Sequence, residues 1–119
     1  MRILSFTKKW DKLKQPEFTT FRVPRKDADK GRDWHINEVV QVYFHNRQPD
    51  REFLGIAKII DKSSTWLSCL DDEEAVADGF TDIVDMIEWM MKAHKGQTDP
   101  QQVRLNKLTL SWCKQATRF

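Results

Sequence analysis

Glycine is scarce in this chain: only four of its 119 residues are Gly, and no two of them are adjacent. Phosphate-binding loops of the P-loop and dinucleotide-binding kinds need several glycines close together, because the backbone must approach the phosphate closely. The chain also lacks the G-x-S-x-G sequence that surrounds the nucleophile of α/β-hydrolases. These absences exclude three common kinds of nucleotide or catalytic site.

Cysteine and histidine are equally scarce. Cys69 and Cys113 lie far apart and outside any C-x-x-C pattern, and none of the three histidines has a partner at the spacing of a metal site. We therefore expect no metal and no cofactor. The cysteines are expected to be free thiols, as in a reducing compartment.

Long apolar runs are also missing. No segment approaches the roughly 20 apolar residues that a membrane helix needs, and the N-terminus lacks a small-residue cleavage site. We expect no membrane association and no signal peptide. Together with the free thiols, this predicts a cytoplasmic protein. Its length is typical of one domain spanning residues 1–119, and we expect a monomer.

Charge is abundant but unevenly distributed. The net charge is +2, yet residues 1–32 carry ten basic and four acidic side chains, whereas residues 71–88 carry eight acidic side chains and no basic one. A basic end attracts phosphates, and an acidic segment repels them or attracts a basic partner. Two ordinary solvated faces would give the same pattern, so the charges leave both interpretations open.

Hydrophobic periodicity predicts a mixed α+β order. Alternation with period two predicts strands, and apolar residues three or four apart predict helices. The predicted strands cover residues 2–6, 18–23, 38–44, 53–60 and 105–112, with extended chain or a further short strand over 61–70. A short helix is expected around Trp10 and Leu13, and two longer ones over 71–79 and about 81–94. This order predicts a small mixed sheet or open barrel with helices on one side.

The strand "FTTFRV" carries the clearest candidate site. Alternation places Thr20 and Arg22 on one face, where a hydroxyl and a guanidinium can together bind a phosphate or carboxylate. More basic residues follow in the next loop, and Trp34 offers a ring on which a base could stack. Alternatively, Arg22 pairs with an acid of the acidic segment and Trp34 fills the core.

Four segments in order, "FTTFRVPRK", "NEVVQVYF", "LGIAKII" and "EEAVADGFTDIVDMIEWM", resemble the ASCH (activating signal cointegrator homology) family. The resemblance spans about residues 3–112. It implies a PUA-like fold, a small mixed β-barrel of about five to six strands flanked by helices. It also implies a cleft lined by the T-x-R strand, with RNA or a nucleotide-like ligand as the expected partner.

Some ASCH members are enzymes: small amidohydrolases acting on acetylated cytidine, and a ribonuclease. The resemblance then implies catalytic roles for Thr20 and for Asp78 at the helix junction. Glu17 stands where those enzymes have a lysine, which puts catalysis in doubt. Lys14, six residues before Thr20, could fold over the cleft and supply the amine.

Three hypotheses follow. The leading one is an RNA- or nucleotide-binding module, and the second is a small hydrolase of a modified nucleoside or of RNA that uses Thr20, Asp78 and either Lys14 or Glu17. The third is a protein-interaction domain that uses the acidic segment 71–88. The candidate ligand-binding residues are Thr20, Arg22, Arg25, Lys26, Trp34 and Tyr43.

Overall fold

The computed structural model describes residues 1–8, 10–23, 33–93, 99, 101 and 103–115. This part of the chain forms an α+β fold with one five-stranded mixed sheet and two helices. The strands are β1 (Arg2–Phe6), β2 (Glu17–Arg22), β3 (Val39–Phe44), β4 (Glu52–Trp66) and β5 (Arg104–Gln115). The helices are α1 (Asp72–Asp78) and α2 (Ile83–Ala93), and 3-10 turns occupy Asp11–Lys14 and Leu67–Cys69.

The strand order in the sheet is β1-β3-β4-β5-β2. β1 runs parallel to β3, whereas the other three neighbouring pairs are antiparallel. β1 and β2 are therefore the two edges, and no backbone ladder joins them within the described residues. The sheet is not closed into a barrel, in contrast to the expectation from the family resemblance. All six residues of the edge strand β2 pair with β5.

We call the gap between the two edge strands, β1 and β2, the seam. Side chains from both strands bridge it. Arg22 of β2 donates from Nη1 to the carbonyl oxygen of Ser5 in β1 at 2.8 Å. The rings of Phe6 in β1 and Phe18 in β2 meet edge to face, with centroids 6.1 Å apart. The two edges thus approach each other through side-chain contacts and not through strand pairing.

One continuous core lies between the sheet and the helices, and all five strands and both helices contribute to it. On α2, Met86 and Met90 are buried, and Ile83 and Ile87 pack against the core beside them. This confirms the helical face predicted from their spacing. The largest fully buried side chains are Leu4, Leu13, Leu54, Ile59, Leu67, Met86, Leu105, Leu108, Leu110, Val40 and Val42.

Acidic residues begin both helices. The Asp71 carboxylate accepts the Glu74 amide at 2.9 Å, and the Asp82 carboxylate accepts the Asp85 amide at 2.8 Å. Such caps satisfy amides that have no partner within the helix. α1 ends at Gly79, whose φ of 111° lies in the left-handed region. In the described part of the chain, no helix is long and apolar enough to cross a membrane.

Candidate functional site: a cationic aromatic cleft at the seam

A cleft of about 480 Å³ opens along the seam. β1 and β2 form one side of it, and the Asp11–Lys14 turn, the α1–α2 junction and the end of α2 form the rest. It is lined by Ser5, Phe6, Thr7, Trp10, Lys12, Thr20, Phe21, Arg22, Val23, Asp78, Phe80, Trp89, Met90 and Lys92. Its volume falls in the range of roughly 300–1,000 Å³ that is usual for small-molecule sites.

Thr20 and Arg22 lie side by side in this cleft, as their alternation on β2 predicts. Arg22 Nε donates to the Thr20 hydroxyl oxygen at 3.2 Å, while Nη1 is held by Ser5. The guanidinium also lies 4.6 Å from the centre of the Phe6 ring. Three contacts therefore fix its orientation, and Nη2 has no hydrogen bond to any described residue.

Burial lowers the pKa of Arg22 to about 10, and the nearby negative charge of Asp78 partly opposes this shift. A guanidinium with this pKa is still fully charged at neutral pH. The cleft therefore contains a fixed cation that is poorly hydrated. Such a group binds an anion more strongly than a solvated one does, because fewer water contacts are lost when the anion arrives.

Lys12 and Asp78 form a buried ion pair in the same cleft. Lys12 Nζ lies 2.7 Å from Asp78 Oδ1, and the two side chains are only 8% and 4% exposed. Burial lowers the pKa of Lys12 and raises that of Asp78, while the attraction between them opposes both shifts. Together with Arg22, the pair leaves one positive charge in excess.

Lys12, and not Lys14, supplies the lysine of the cleft. Leu13 is fully buried and anchors the turn, and with three residues per turn the two flanking lysines face different directions. The Lys14 side chain is 55% exposed and lies 3.5 Å from Asp11 on the solvent side. Glu17 is exposed at the start of β2 and does not line the cleft either.

The cleft does not include the two aromatic residues expected to stack on a ligand. Trp34 is only 5% exposed, and the Arg2 guanidinium lies over its ring, so it belongs to the core. Tyr43 alternates with the buried Val42 and thus points to the other face of the sheet, where it contacts Phe53. The predicted ligand residues Arg25 and Lys26 lie outside the described residues.

Other aromatic residues line the cleft. Trp10 packs against Phe80 and Trp89, with ring centroids 5.0 and 5.6 Å apart, and Phe6 lies on the opposite side beside Arg22. The sequence did show Trp10 sharing a helical face with Leu13. The approach of Trp89 depends on how α2 packs, which no local pattern reveals.

The acidic segment mostly serves the helices themselves. Besides the two capping aspartates, the Asp72 carboxylate accepts the Ile83 amide at 2.9 Å and Asp85 accepts from Thr81. Glu74 lies 3.6 Å from Lys107. These contacts explain most of the acidic charge without a partner protein. Among the described residues, no group of three His, Cys, Asp or Glu side chains could hold a metal ion.

Known proteins do not identify the chain. No protein-family model matches it, and neither the curated proteins nor the solved structures contain a significant match.

Proposed function

We propose that this protein binds RNA or a nucleotide-like ligand in the cleft at the seam. The observation that carries the proposal is the oriented, poorly hydrated guanidinium of Arg22, whose Nη2 has no described partner. A phosphate oxygen is the natural acceptor for such a donor. The excess positive charge of the cleft favours the same kind of ligand.

The aromatic walls suit a flat base. Phe6 lies beside Arg22 and, like Trp10 and Phe80, lines the cleft with a ring that is at most 9% exposed, whereas the ring of Trp89 is 41% exposed. Stacking of a base on an aromatic ring is tolerant of sequence, because every base has a π face. A cation for phosphate beside rings for a base is the combination that single-stranded nucleic acids require.

The ASCH resemblance supports the same proposal. It implies a ligand cleft lined by a T-x-R strand, and Thr20 and Arg22 lie in the cleft described above. We further propose that the open five-stranded sheet is a PUA-like scaffold in which the seam replaces barrel closure. A crystal structure of the protein with a bound mononucleotide would test this part, because the ligand should lie at the seam.

Binding is tested by titrating short RNA, single-stranded DNA and a mononucleotide at low salt. We expect saturable binding whose affinity falls as salt rises, since bound phosphates release counterions. Arg22→Ala should weaken binding strongly, and Arg22→Lys should restore only part of it because lysine lacks the planar fork. Arg104→Ala, which removes an exposed arginine that does not line the cleft, is the matched control. An absence of binding to all three ligands at low salt would contradict the proposal.

A hydrolase is the second candidate, and the Lys12–Asp78 pair favours it. A threonine hydroxyl needs a base to become a nucleophile, and a buried lysine whose pKa is lowered loses its proton more easily than a solvated one. However, the hydrogen bond formed by the Thr20 side chain among the described residues comes from Arg22, and not from Lys12 or Asp78. Binding therefore has the stronger support.

Incubation with acetylated cytidine and with a panel of RNAs tests the hydrolase. Product release that disappears in both Thr20→Val and Lys12→Met would support it. Turnover that persists in either variant would contradict the roles assigned to these residues. Lys14→Met is the control, because Lys14 points to solvent in the same turn.

A further inference from the structure

Trp89 forms a rigid but half-exposed wall at the outer end of the cleft. Its ring meets Trp10 at an interplanar angle of 73° and Phe80 at 60°, with centroid distances of 5.6 and 6.1 Å. Even so, 41% of its surface remains exposed. A ring held in place by two neighbours loses little conformational freedom when a ligand stacks on it.

Lys92 follows Trp89 by three residues on α2 and also lines the cleft. Residues three apart on a helix are neighbours on its surface. Lys92 is exposed and forms no ion pair with a described residue. The α2 end of the cleft therefore also offers a cation and an aromatic ring to a ligand, although these two side chains share a helix surface and do not stack as Arg22 and Phe6 do at the seam.

We propose that Trp89 and Lys92 form a second subsite, which takes the next nucleotide of a single-stranded nucleic acid whose first nucleotide is bound at Arg22. This inference rests on the proposed function and narrows it, because it requires a ligand of at least two nucleotides. Alternating rings and cations match the alternation of bases and phosphates along a single strand.

Among the described residues, no other exposed hydrophobic side chain combines an aromatic ring and a nearby cation within the cleft. Val84 of α2 is 59% exposed but does not line the cleft. Trp66 at the end of β4 is 46% exposed and lies opposite Arg104 of β5, and neither of these two side chains lines the cleft. Trp66 thus has a neighbouring cation, as Trp89 does, but outside the cleft. Trp66 therefore serves as a matched control for Trp89.

The test compares uridine monophosphate with uridylates of two, four and eight nucleotides, and with the corresponding DNA, by titration at two salt concentrations. We expect the affinity of the native protein to rise roughly tenfold or more from the mononucleotide to the short oligonucleotides. Trp89→Leu should lower the affinity for the oligonucleotides by much more than the affinity for the mononucleotide, and so remove most of this gain. Trp89→Phe should recover part of the gain, and Trp66→Leu should leave it intact.

Lys92→Ala provides an independent readout. It should lower the slope of log affinity against log salt by about one for the oligonucleotides, whereas Lys114→Ala, on the exposed end of β5, should not. Circular dichroism of each variant checks that it is folded.

The two proposals can fail separately. Binding that depends on Arg22 but does not increase with chain length would overturn the second subsite and leave the proposed function standing. Equal losses in Trp89→Leu and Trp66→Leu would also overturn the subsite. If neither the mononucleotide nor any oligonucleotide binds, both proposals are wrong.

Discussion

At the scale of single residues, the buried charges of the cleft limit which substitutions the fold can accept without losing stability. Lys12 and Asp78 neutralise each other where little water reaches them. Removing one partner leaves the other charge buried and uncompensated, which typically costs about 3–5 kcal/mol. Removing both avoids that penalty.

We therefore predict that Lys12→Met and Asp78→Leu each lower the free energy of unfolding by a few kcal/mol, about 3–5. The double variant should lose clearly less than the sum of the single losses. Urea unfolding followed by circular dichroism measures this double-mutant cycle. Strictly additive losses would mean that the two side chains do not stabilise each other.

Glu38 makes the stability of the fold depend on pH in the acidic range. Burial alone would raise its pKa, but hydrogen bonds from the Arg2 guanidinium and the His35 amide lower it further than burial raises it. The folded state then binds fewer protons than the unfolded state near the ordinary carboxyl pKa of about 4.3. This contribution to stability is present above that pH and is lost as the pH falls through the lower folded-state pKa.

Accordingly, Glu38→Gln should be less stable than the native protein at pH 7, and the difference should shrink as the pH falls below about 4. Denaturant unfolding at a series of pH values measures it. Glu73→Gln, on the exposed side of α1, controls for the loss of one negative charge. A difference that stays constant across this pH range would contradict the assigned contacts.

Residue positions on strands could be predicted well from the sequence. Thr20 and Arg22 share a face because the alternation of a strand is a property of its backbone. Lys12 was missed because the choice between Lys12 and Lys14 depends on a 3-10 turn whose direction is set by the buried Leu13. Trp34 lies in the core, the alternative that the sequence left open, because burial of a ring is decided by tertiary packing. Tyr43 lies on the face of β3 opposite the buried Val42, where it contacts Phe53.

At the scale of elements, the junction between α1 and α2 lies against the Asp11–Lys14 turn, so that Asp78 at the end of α1 meets Lys12 of the turn. Gly79 makes this possible in two ways. Its φ of 111° is rarely adopted by other residues, and a Cβ at this position would lie only 2.7 Å from Cε3 of Trp10. The absence of a side chain at Gly79 thus allows Trp10 to lie against the junction beside Asp78.

We predict that Gly79→Ala destabilises the protein by about 1–3 kcal/mol through backbone strain, with the contact to Trp10 adding to it. Gly79→Asn should cost less, since asparagine adopts positive φ more readily, but it should still move Trp10. Thermal unfolding and tryptophan fluorescence measure the two effects. If Gly79→Ala were as stable as the native protein, the close contact with Trp10 would not constrain the fold.

Strand ends were the least predictable part of the elements. β4 includes residues 61–66, which were predicted as extended chain or a further short strand and not as part of this strand, and β5 continues to Gln115. The added part of β4 is mostly exposed and polar, so hydrophobic alternation does not mark it. It remains extended because its backbone pairs with β5 from Asp61 to Trp66. This pairing involves residues some 40 positions apart, which a local pattern does not detect.

At the scale of the whole molecule, the continuous core predicts that the chain unfolds as one unit. Strands from both ends of the sequence and both helices contribute to the same buried cluster. Single domains of this size usually unfold in one cooperative transition. Urea unfolding monitored by tryptophan fluorescence and by far-ultraviolet circular dichroism should therefore give coincident curves. Separated transitions would show that the helices and the sheet are independent units.

The sequence did not determine whether the sheet closes into a barrel or stays open. The order of strands and helices was predicted correctly, and so was the α+β class. Whether the two edges pair depends on the twist and stagger accumulated across all five strands. These quantities are set by bulges such as those between Ile56 and Ala57 and between Ile59 and Asp61, which carry no clear sequence signal.

The seam gives the cleft a freedom that a closed barrel would not have. Strand pairing fixes the spacing of neighbouring backbones at about 4.8 Å, but Arg22, Phe6 and Phe18 set the separation of β1 and β2 through their side chains. Exchanging one of these side chains for a shorter or longer one can change the width of the cleft without breaking a backbone hydrogen bond. Ligand size could therefore be redesigned here with few substitutions, while the rest of the sheet keeps its register.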